Sequence, residues 1–467
     1  MTKRLGLWGG LIAFLALLAL PAPAGMGADA WHMVALIVLM ASWWMTEALP
    51  LTATALLPFL LIPLMGMMTP KEIAAAYYSP ILFLVLGGAF LALAIERTGL
   101  HRRLALAVVT RGGRTPGGLL FAFMTATAII SFIVSNTATT LIMMPIGLAV
   151  IAAAGIKEGE SEGFAGALAM GIAFAASIGG LGTLVGSPTN AIAAGLIERL
   201  LDYHVDFLTW ASFGLPVVII GIPICWWILM RVQKVHAETF DGRTLHAAIG
   251  APGPWSLAEK RLVPLLIAVV ALWVLLPVLP SGLLNERVED GSIAIAGALL
   301  LFVIPDGTGR PLLNWQEANR APWGVIMLFG GGLALAEGVT ASGLDIWLGS
   351  ALKPLGGVPP VLIALVLVAL VILVTEFASN VACASGMLPV VAGLVAATGT
   401  DPVTLALPAA FAASWGFMLP SGTGPNAIAW ATGHIALPRM LKAGLLLDVV
   451  GVALIVLTIF VLAPVAG

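Results

Sequence analysis

Charge is scarce in this chain: 23 acidic and 21 basic residues in 467, nine per cent in all. Soluble domains carry about 25%, so a soluble globular fold is excluded. The formal net charge of −2 leaves no basic excess for a nucleic-acid partner. Cysteine is nearly absent. Cys225 and Cys383 both fall in apolar segments, which implies no disulfide framework. The six histidines (His32, His101, His204, His236, His246 and His434) lie near expected loops or helix ends, and Cys383 has no evident base beside it. A membrane-embedded enzyme would need a nucleophile–base pair or a set of metal ligands, and the pattern suggests neither. What the chain has in excess is apolar: 60% hydrophobic residues and a mean hydropathy of +1.07. Runs of about 17–25 such residues between charged loops mark bilayer-spanning helices.

The spacing predicts helices over 6–23, 31–48, 52–68 and 80–97, then a hairpin across 116–155. Further helices are expected at 164–197, 208–230, 261–280, 290–305 and 322–340. A second hairpin follows at 358–398, then helices at 403–434 and 442–463. The expectation is an all-α polytopic membrane protein with eleven transmembrane helices plus two re-entrant hairpins. Lys3 and Arg4 before the first run, and APAGMGA after it, also fit a signal peptide; a retained first helix closes the topology and is preferred. Basic residues set the orientation. Lys3 and Arg4 place the N-terminus in the cytoplasm. Four crossings later come Arg97, Arg102, Arg103, Arg111 and Arg114, and two further crossings reach Arg231, Lys234 and Arg243. All three clusters fall on one side of a plasma (cytoplasmic) membrane, which puts the C-terminus outside.

Two stretches 244 positions apart break a membrane helix with polar residues: Ser135-Asn136-Thr137 in FIVSNTATTLIMMP and Ser379-Asn380-Val381 in EFASNVACASGMLP. At the same offset Ser131 meets Thr375, Pro145 meets Pro389, and Gly87-Gly88 meets Gly331-Gly332. A second pair, FAASIGGLGTLVGSPTNAIA at 174–193 and FAASWGFMLPSGTGPNAIA at 411–429, is offset by 236 or 237. Arg102 and Arg103 become Ile346 and Trp347 in the second copy, the loss of charge expected of inverted repeats. The stretches 101–113 and 344–355 are too short and polar to span and suit helices lying in the interface.

Matched breaks in a duplicated membrane chain point to a transporter's binding site. Hydrocarbon offers no partner to free backbone groups, so a hairpin tip must be buried in protein or line a polar cavity. Ser and Asn supply oxygens that cap helix ends and act as neutral hard ligands for Na⁺. The Gly and Pro residues of GSPTN and SGTGPN cannot continue a regular helix, and each stretch reads as an unwound turn. A tip and a turn from each half form one cation site apiece, while half-helix N-termini favour an anion. No Lys or Arg occurs in the tips or turns, so the anion would depend on bound cations, which makes coupling obligatory. The absence of Asp and Glu there argues against proton coupling. Asn190 and Asn426 read as structural caps of the following half-helices. Glu47 and Glu376 read as intramembrane or near-tip carboxylates with hydrogen-bonding roles, and Trp43, Trp44, Trp226 and Trp227 as interface anchors.

These tips and turns, with WWMTEALPL and GLHRRLAL, resemble the divalent anion/sodium symporter family of bacterial and animal dicarboxylate and citrate carriers over nearly the whole chain. The resemblance implies a homodimer in the lipid bilayer that moves as an elevator. Its scaffold would be 1–100 and 261–343, its interfacial arms 101–114 and 344–356, and its transport halves 115–260 and 357–467. It implies one Na⁺ site on Ser131, Ser135, Asn136 and Gly186, and a second on Thr375, Ser379, Asn380 and Gly422. Na⁺ is then the co-transported ion, with no organic cofactor. Carboxylates of a small anionic substrate would meet Asn136, Thr137, Pro188, Asn380, Val381 and Thr423. Val381 stands where many members have threonine, and Gly424 and Thr189 where proline is common. These departures bear on the identity of the anion more than on mechanism.

The expected function is sodium-coupled symport of a C4-dicarboxylate (succinate, malate or fumarate) into the cell. The alternatives are a carrier of sulfate, citrate or another multivalent anion, and a sodium-independent dicarboxylate exchanger. Two half-sites at broken helices suit alternating access better than a channel pore. The topology makes a direct prediction: a cysteine placed in 399–402 reacts with a membrane-impermeant reagent from outside, and one in 156–163 does not. The reverse pattern would overturn the orientation.

Overall fold

Long apolar runs become helices in this chain, several of them continuing through an internal proline such as Pro145, Pro216, Pro223 or Pro389, and they stop at the Ser-Asn tips and at the two Gly- and Pro-containing turns. The computed structural model describes residues 2–113, 115–156, 162–236, 253–278 and 288–466. Arg114, Arg243, His246, most of the loop at 156–163 and the end of the run at 261–280 lie outside the described residues. Among the described residues the regular elements are helical, apart from one isolated bridge between Pro305 and Pro311.

The chain opens with α1 (Thr2–Ala19), α2 (Ala28–Thr46), α3 (Leu51–Thr54), α4 (Leu57–Leu64) and α5 (Pro70–Ala76). Next come α6 (Pro80–Thr98) and the short α7 (Leu100–Val109). The first hairpin is α8 (Pro116–Ser131) and α9 (Asn136–Ala153), followed by the interrupted pair α10 (Phe164–Gly180) and α11 (Pro188–Leu201), and by α12 (Phe207–Val232). α13 (Leu257–Leu275), α14 (Asp290–Leu301), α15 (Trp315–Ala318), α16 (Trp323–Ala341) and α17 (Leu344–Leu352) lead into the second half. There α18 (Pro360–Phe377) and α19 (Asn380–Thr398) form the second hairpin, α20 (Pro402–Ala412) and α21 (Gly424–Ala431) the second interrupted pair, and α22 (Leu437–Ala466) closes the fold. Among the described residues nine helices are long and apolar enough to cross a membrane. α8, α10, α14 and α20 are shorter apolar helices, and the run expected at 52–68 divides into α3 and α4.

The two repeats use the same joint. Gly99 (φ 77°) caps the end of α6 and starts α7, and Gly343 (φ 70°) starts α17 after α16. Only glycine takes this left-handed conformation without strain, so the chain turns sharply into each short helix. α7 is then fastened by Arg103, which meets Glu259 at 2.8 Å and lies 4.4 Å over the Trp255 ring. α17 instead packs its apolar residues against α2 and α19. Beside α7, Arg97 pairs with Asp306 and Glu317, and Arg310 with Glu317. The Thr308 amide and hydroxyl, together with Arg97, hold the Asp306 carboxyl well below the usual carboxylate range.

α10 is buried along its whole length, sheathed by the first hairpin and by α12. Glycine lets α8 approach it: a Cβ on Gly179 would lie 2.5 Å from Ala128 Cα. α20 occupies the matching position against α18, α19 and α22. α11 leaves this centre to pack on α16, where Gly195 accommodates the Phe329 ring and Arg199 Nε donates to Glu337 at 2.7 Å.

Three sequence expectations need correction. Trp43 and Trp44 are buried rather than interfacial, because their indole N–H groups donate to Leu7 O at 3.1 Å and Leu51 O at 3.2 Å inside the packing of α1, α2 and α3. Trp226 is half-buried and bonded to Gly117 O, while Trp227 is exposed. Glu47 lies at the end of α2, exposed and 3.4 Å from Lys3, far in role from any tip. The α8–α10 contact yields a prediction. Gly179→Ala forces a methyl against backbone and should destabilise the protein by about 1–3 kcal/mol, read as a lowered melting temperature. Gly9→Ala, in open space on α1, should not.

Candidate binding site at the paired helix breaks

The first hairpin turns through residues 132–135, with Ser135 at the N-cap of α9. Its hydroxyl makes no cap bond, whereas Ser379, at the N-cap of α19, accepts from Ala382 N at 3.2 Å. Pro188 and Pro425 sit in the first turns of α11 and α21, where a missing N–H costs nothing. Ser187 and Thr423 cap these helices through Thr189 N at 3.3 Å and Asn426 N at 3.2 Å.

The carbonyls freed by unwinding are held from the following half-helix. Asn190 Nδ2 donates to Gly180 O at 2.7 Å and Thr183 O at 2.8 Å, and Asn426 Nδ2 donates to Leu419 O at 3.0 Å. Neither asparagine is the helix cap that its position suggested, since Ser187 and Thr423 cap these helices; both instead hold carbonyls before the half-helix. The second turn has an additional clamp. Glu376, fully buried, accepts N–H bonds from Phe417, from Met418 at 2.9 Å and from Leu419 at 3.1 Å. The matching residue of the first half is Phe132, whose carbonyl accepts from Thr183 Oγ1.

Each tip joins its turn through the same cluster of oxygens. Ser131 Oγ lies 3.0 Å from Asn136 Oδ1 and 2.7 Å from Ala176 O. Thr375 Oγ1 lies 3.1 Å from Asn380 Oδ1 and 2.6 Å from Ala413 O. A hydroxyl has one hydrogen to donate, so each cluster holds three oxygens around a single proton. Gly186 adds to the first cluster by backbone proximity: its Cβ would lie 2.5 Å from Gly180 O and 2.8 Å from Ser131 O. Gly422 lies likewise against the Glu376 carbonyl, at 3.3 Å. Buried Ser177 Oγ and Ser414 Oγ, and the Oδ1 atoms of Asn190 and Asn426, have no hydrogen-bond partner among the described residues. Such oxygen-rich, proton-poor clusters are the donor chemistry of an alkali cation.

Between the clusters lies a cavity of about 570 Å³, within the range of small-molecule sites. Asn136, Thr137, Pro188, Asn380, Val381 and Thr423 all line it, together with Ser135, Ser379 and Gly422. Ser131, Thr375 and Gly186 are absent from its wall, and Ser131 and Thr375 are fully buried. The tips cross between halves: a Cβ on Gly424 would lie 2.4 Å from Thr137 Oγ1, so a proline there would collide with the first tip. The charged groups lining the cavity are the half-buried Glu96 and the exposed Arg320, 4.0 Å apart. Ser177 and Ser414 escaped the sequence reading, although both belong to the duplicated FAAS stretches at offset 237. Asp448, buried on α22, escaped it because nothing repeats it.

A duplicated, broken-helix membrane fold with its cavity at the breaks is that of a transport protein and not an enzyme. Residues 2–465 match the family described as the sodium:sulfate symporter transmembrane region, and the chain belongs to that family. It is 37% identical over 475 residues to the sodium-dependent dicarboxylate transporter SdcS of Staphylococcus saprophyticus, covering 99% of this chain and 92% of that protein. It is 38% identical over 476 residues, with the same coverage, to SdcS of Staphylococcus aureus strain USA300. The crystal structure of the Alcanivorax borkumensis YdaH transporter shares the fold, with a TM-score of 0.60 at 17% identity over 99% of this chain and 98% of that one.

The clamps carry their own prediction. Asn190→Ala strands two carbonyls and Asn426→Ala one, at about 1–3 kcal/mol for each group left unpaired. Thermal unfolding should therefore show both variants destabilised and Asn190→Ala the more so.

Proposed function

We propose that this protein is a sodium-coupled symporter that carries a C4-dicarboxylate (succinate, malate or fumarate) across the plasma membrane. The observation that carries this reading is the convergence of two symmetry-related oxygen clusters on one cavity whose tips and turns hold no cationic side chain. In the first cluster Na⁺ would use Ser131, Ser135, Asn136 and Gly186, and in the second Thr375, Ser379, Asn380 and Gly422. With both bound, two positive charges lie beside the half-helix N-termini, and a dianion is held by Asn136, Thr137, Pro188, Asn380, Val381 and Thr423. Without sodium the anion has only neutral partners, and affinity falls. The relatives' name, at 37–38% identity over 99% of the chain, supports dicarboxylate over sulfate. Val381 and Thr137 both line the cavity, and methyl groups beside a hydroxyl suit a carbon chain better than a compact inorganic oxyanion.

The movement proposed is an elevator in a homodimer. Residues 1–100 and 261–343 form the scaffold, 101–114 and 344–356 the arms, and 115–260 and 357–467 the moving halves. α11 meets α16 across this division, joined by Arg199 and Glu337, and that contact must slide. By the basic loops the N-terminus is cytoplasmic and the C-terminus external, so the end of the cavity at Glu96 and Arg320 faces the cytoplasm.

The test is uptake of labelled succinate into proteoliposomes under an inward sodium gradient, with potassium as control. Sodium-dependent uptake is expected, falling at least about tenfold in Asn136→Ala or Asn380→Ala, the loss of one charge-assisted contact. Uptake driven solely by internal dicarboxylate would make the protein an exchanger. Transport of sulfate or citrate in place of succinate would overturn the substrate class.

A further inference from the structure

Among the described residues the cavity wall carries charge in one place only, at Glu96 and Arg320. α6 lines the cavity with Gly88, Ala89, Ala92, Leu93 and Glu96, positions three or four apart that share one helical face. Arg320 stands just before α16, whose Val325 lines the same wall. A Cβ on Gly88 would lie 3.1 Å from Val185 Cγ1, which puts Gly88 at the level of the first unwound turn. Glu96 lies eight residues further along α6, about 12 Å at the rise of an α-helix. It falls in the last turn of α6 beside Arg97, the first of the basic residues that place this end in the cytoplasm. Between the two levels α6 and α16 offer the cavity only alanine, leucine and valine. An anion moving between the tips and the cytoplasm therefore meets its first cationic side chain at Arg320.

The other basic groups near this end are already engaged. Arg97 and Arg310 pair with Asp306 and Glu317, and Arg261 Nη1 donates to Pro305 O at 2.6 Å. The Glu317 carboxylate also accepts from Asn314 N at 3.0 Å in the cap of α15. Arg320 N donates to Glu317 O at 3.1 Å, yet the Glu317 side chain is turned to these other partners. Among the described residues the ion-pair partner of Arg320 is Glu96, at 4.0 Å and so beyond hydrogen-bond range. A guanidinium held so loosely can exchange that partner for a carboxylate, which its planar fork binds through two N–H groups. Glu96 then repels the newcomer by like charge, so the anion passes and does not stay.

We infer that Arg320 is the anion-receiving residue at the cytoplasmic end of the transport path, with Glu96 as the counter-ion that limits its hold. The cargo class is a dicarboxylate or another multivalent anion, and the inference rests on the symport reading of the cavity. Both residues belong to the proposed scaffold and do not travel with the tips, so they act at the cytoplasmic face alone. An exposed cation at a cavity raises the local concentration of anions, and salt weakens that effect.

The experiment uses right-side-out and everted membrane vesicles from a bacterial host, which read the external and cytoplasmic faces separately. Uptake of labelled succinate is measured at fixed saturating sodium, with ionic strength raised by choline chloride. Wild type is compared with Arg320→Gln, Arg320→Lys and Glu96→Gln. In everted vesicles Arg320→Gln should raise KM about threefold to tenfold, the low end of electrostatic steering, with the maximal rate little changed. It should also abolish the rise of KM with added salt that wild type shows. Arg320→Lys should keep that salt dependence, and Glu96→Gln should lower KM. In right-side-out vesicles all four proteins should agree. An unchanged cytoplasmic KM in Arg320→Gln, or one raised equally at both faces, overturns the inference, as does a raised KM in Glu96→Gln. If Arg320→Gln does not fold, the other two variants decide by the same signs. If wild type carries citrate or sulfate and not succinate, the dicarboxylate reading fails and the comparison is read on that anion. Carriage of no anion at either face overturns both.

Discussion

A carbonyl or amide freed inside a bilayer must find its partner within the protein, since hydrocarbon supplies none, and the rest of this structure follows from four such releases. Each break exposes several backbone groups, each worth a few kcal/mol if left bare. Asn190 and Asn426 retrieve the carbonyls of the turns, and Glu376 retrieves three amides of the second. What remains is mostly oxygen: one hydroxyl serves two acceptors in each cluster, Ser131 between Asn136 and Ala176 and Thr375 between Asn380 and Ala413, while Ser177 Oγ, Ser414 Oγ and the Oδ1 atoms of Asn190 and Asn426 have no partner among the described residues. The breaks that would destabilise an ordinary helix thus leave a surplus of acceptors, and a surplus of acceptors attracts a cation.

The two halves solve the same problem with different materials. The first turn is short and clamped by one asparagine on two carbonyls; the second is longer and has a buried carboxylate in addition. The Glu376 side chain takes three amides of the second turn, where the matching residue of the first half, Phe132, offers only a backbone carbonyl to Thr183. Gly424 shows a related trade. The absence of a side chain there makes room for Thr137 of the opposite tip, so a feature that looks like a departure in one half is a fitting to the other.

Much of the architecture was legible because duplication doubles every signal. One Ser-Asn pair means little, whereas two at a fixed offset with matched Gly, Pro and Ser-Thr positions locate both hairpins and both turns; the six residues that line one cavity were implied by the family resemblance. Helix-like stretches after Gly99 and Gly343 were readable from their mixed polarity. What stayed hidden depends on contacts distant in sequence. Trp44 looks interfacial by type and is buried through Leu51. Glu47 sits in a motif beside apolar runs yet pairs with Lys3 at the surface. Asp448 has no counterpart in the repeat, so pattern alone could not single it out.

The contact of α11 with α16 joins these points. α11 begins at the first unwound turn, where Ser187 and Asn190 fix it to the binding region, and ends at Arg199, paired with Glu337 of α16. A rigid half-helix of 14 residues transmits any displacement of the turn to that ion pair with little loss. In the proposed elevator the halves cannot travel while the pair holds, and its partly exposed position keeps its contribution small, about 0–1 kcal/mol for a surface pair. A contact of that size biases the resting position without trapping it, whereas a fully buried pair would cost several kcal/mol to break. The hydrogen bonds that build the site lie around Asn190, Glu376 and the oxygen clusters, while the proposed division is crossed by the Arg199–Glu337 pair, by the Phe207 N bond to Asp290 at 2.6 Å and by the stacking of Phe207 on Trp273. That distribution lets the binding region stay intact while its surroundings change.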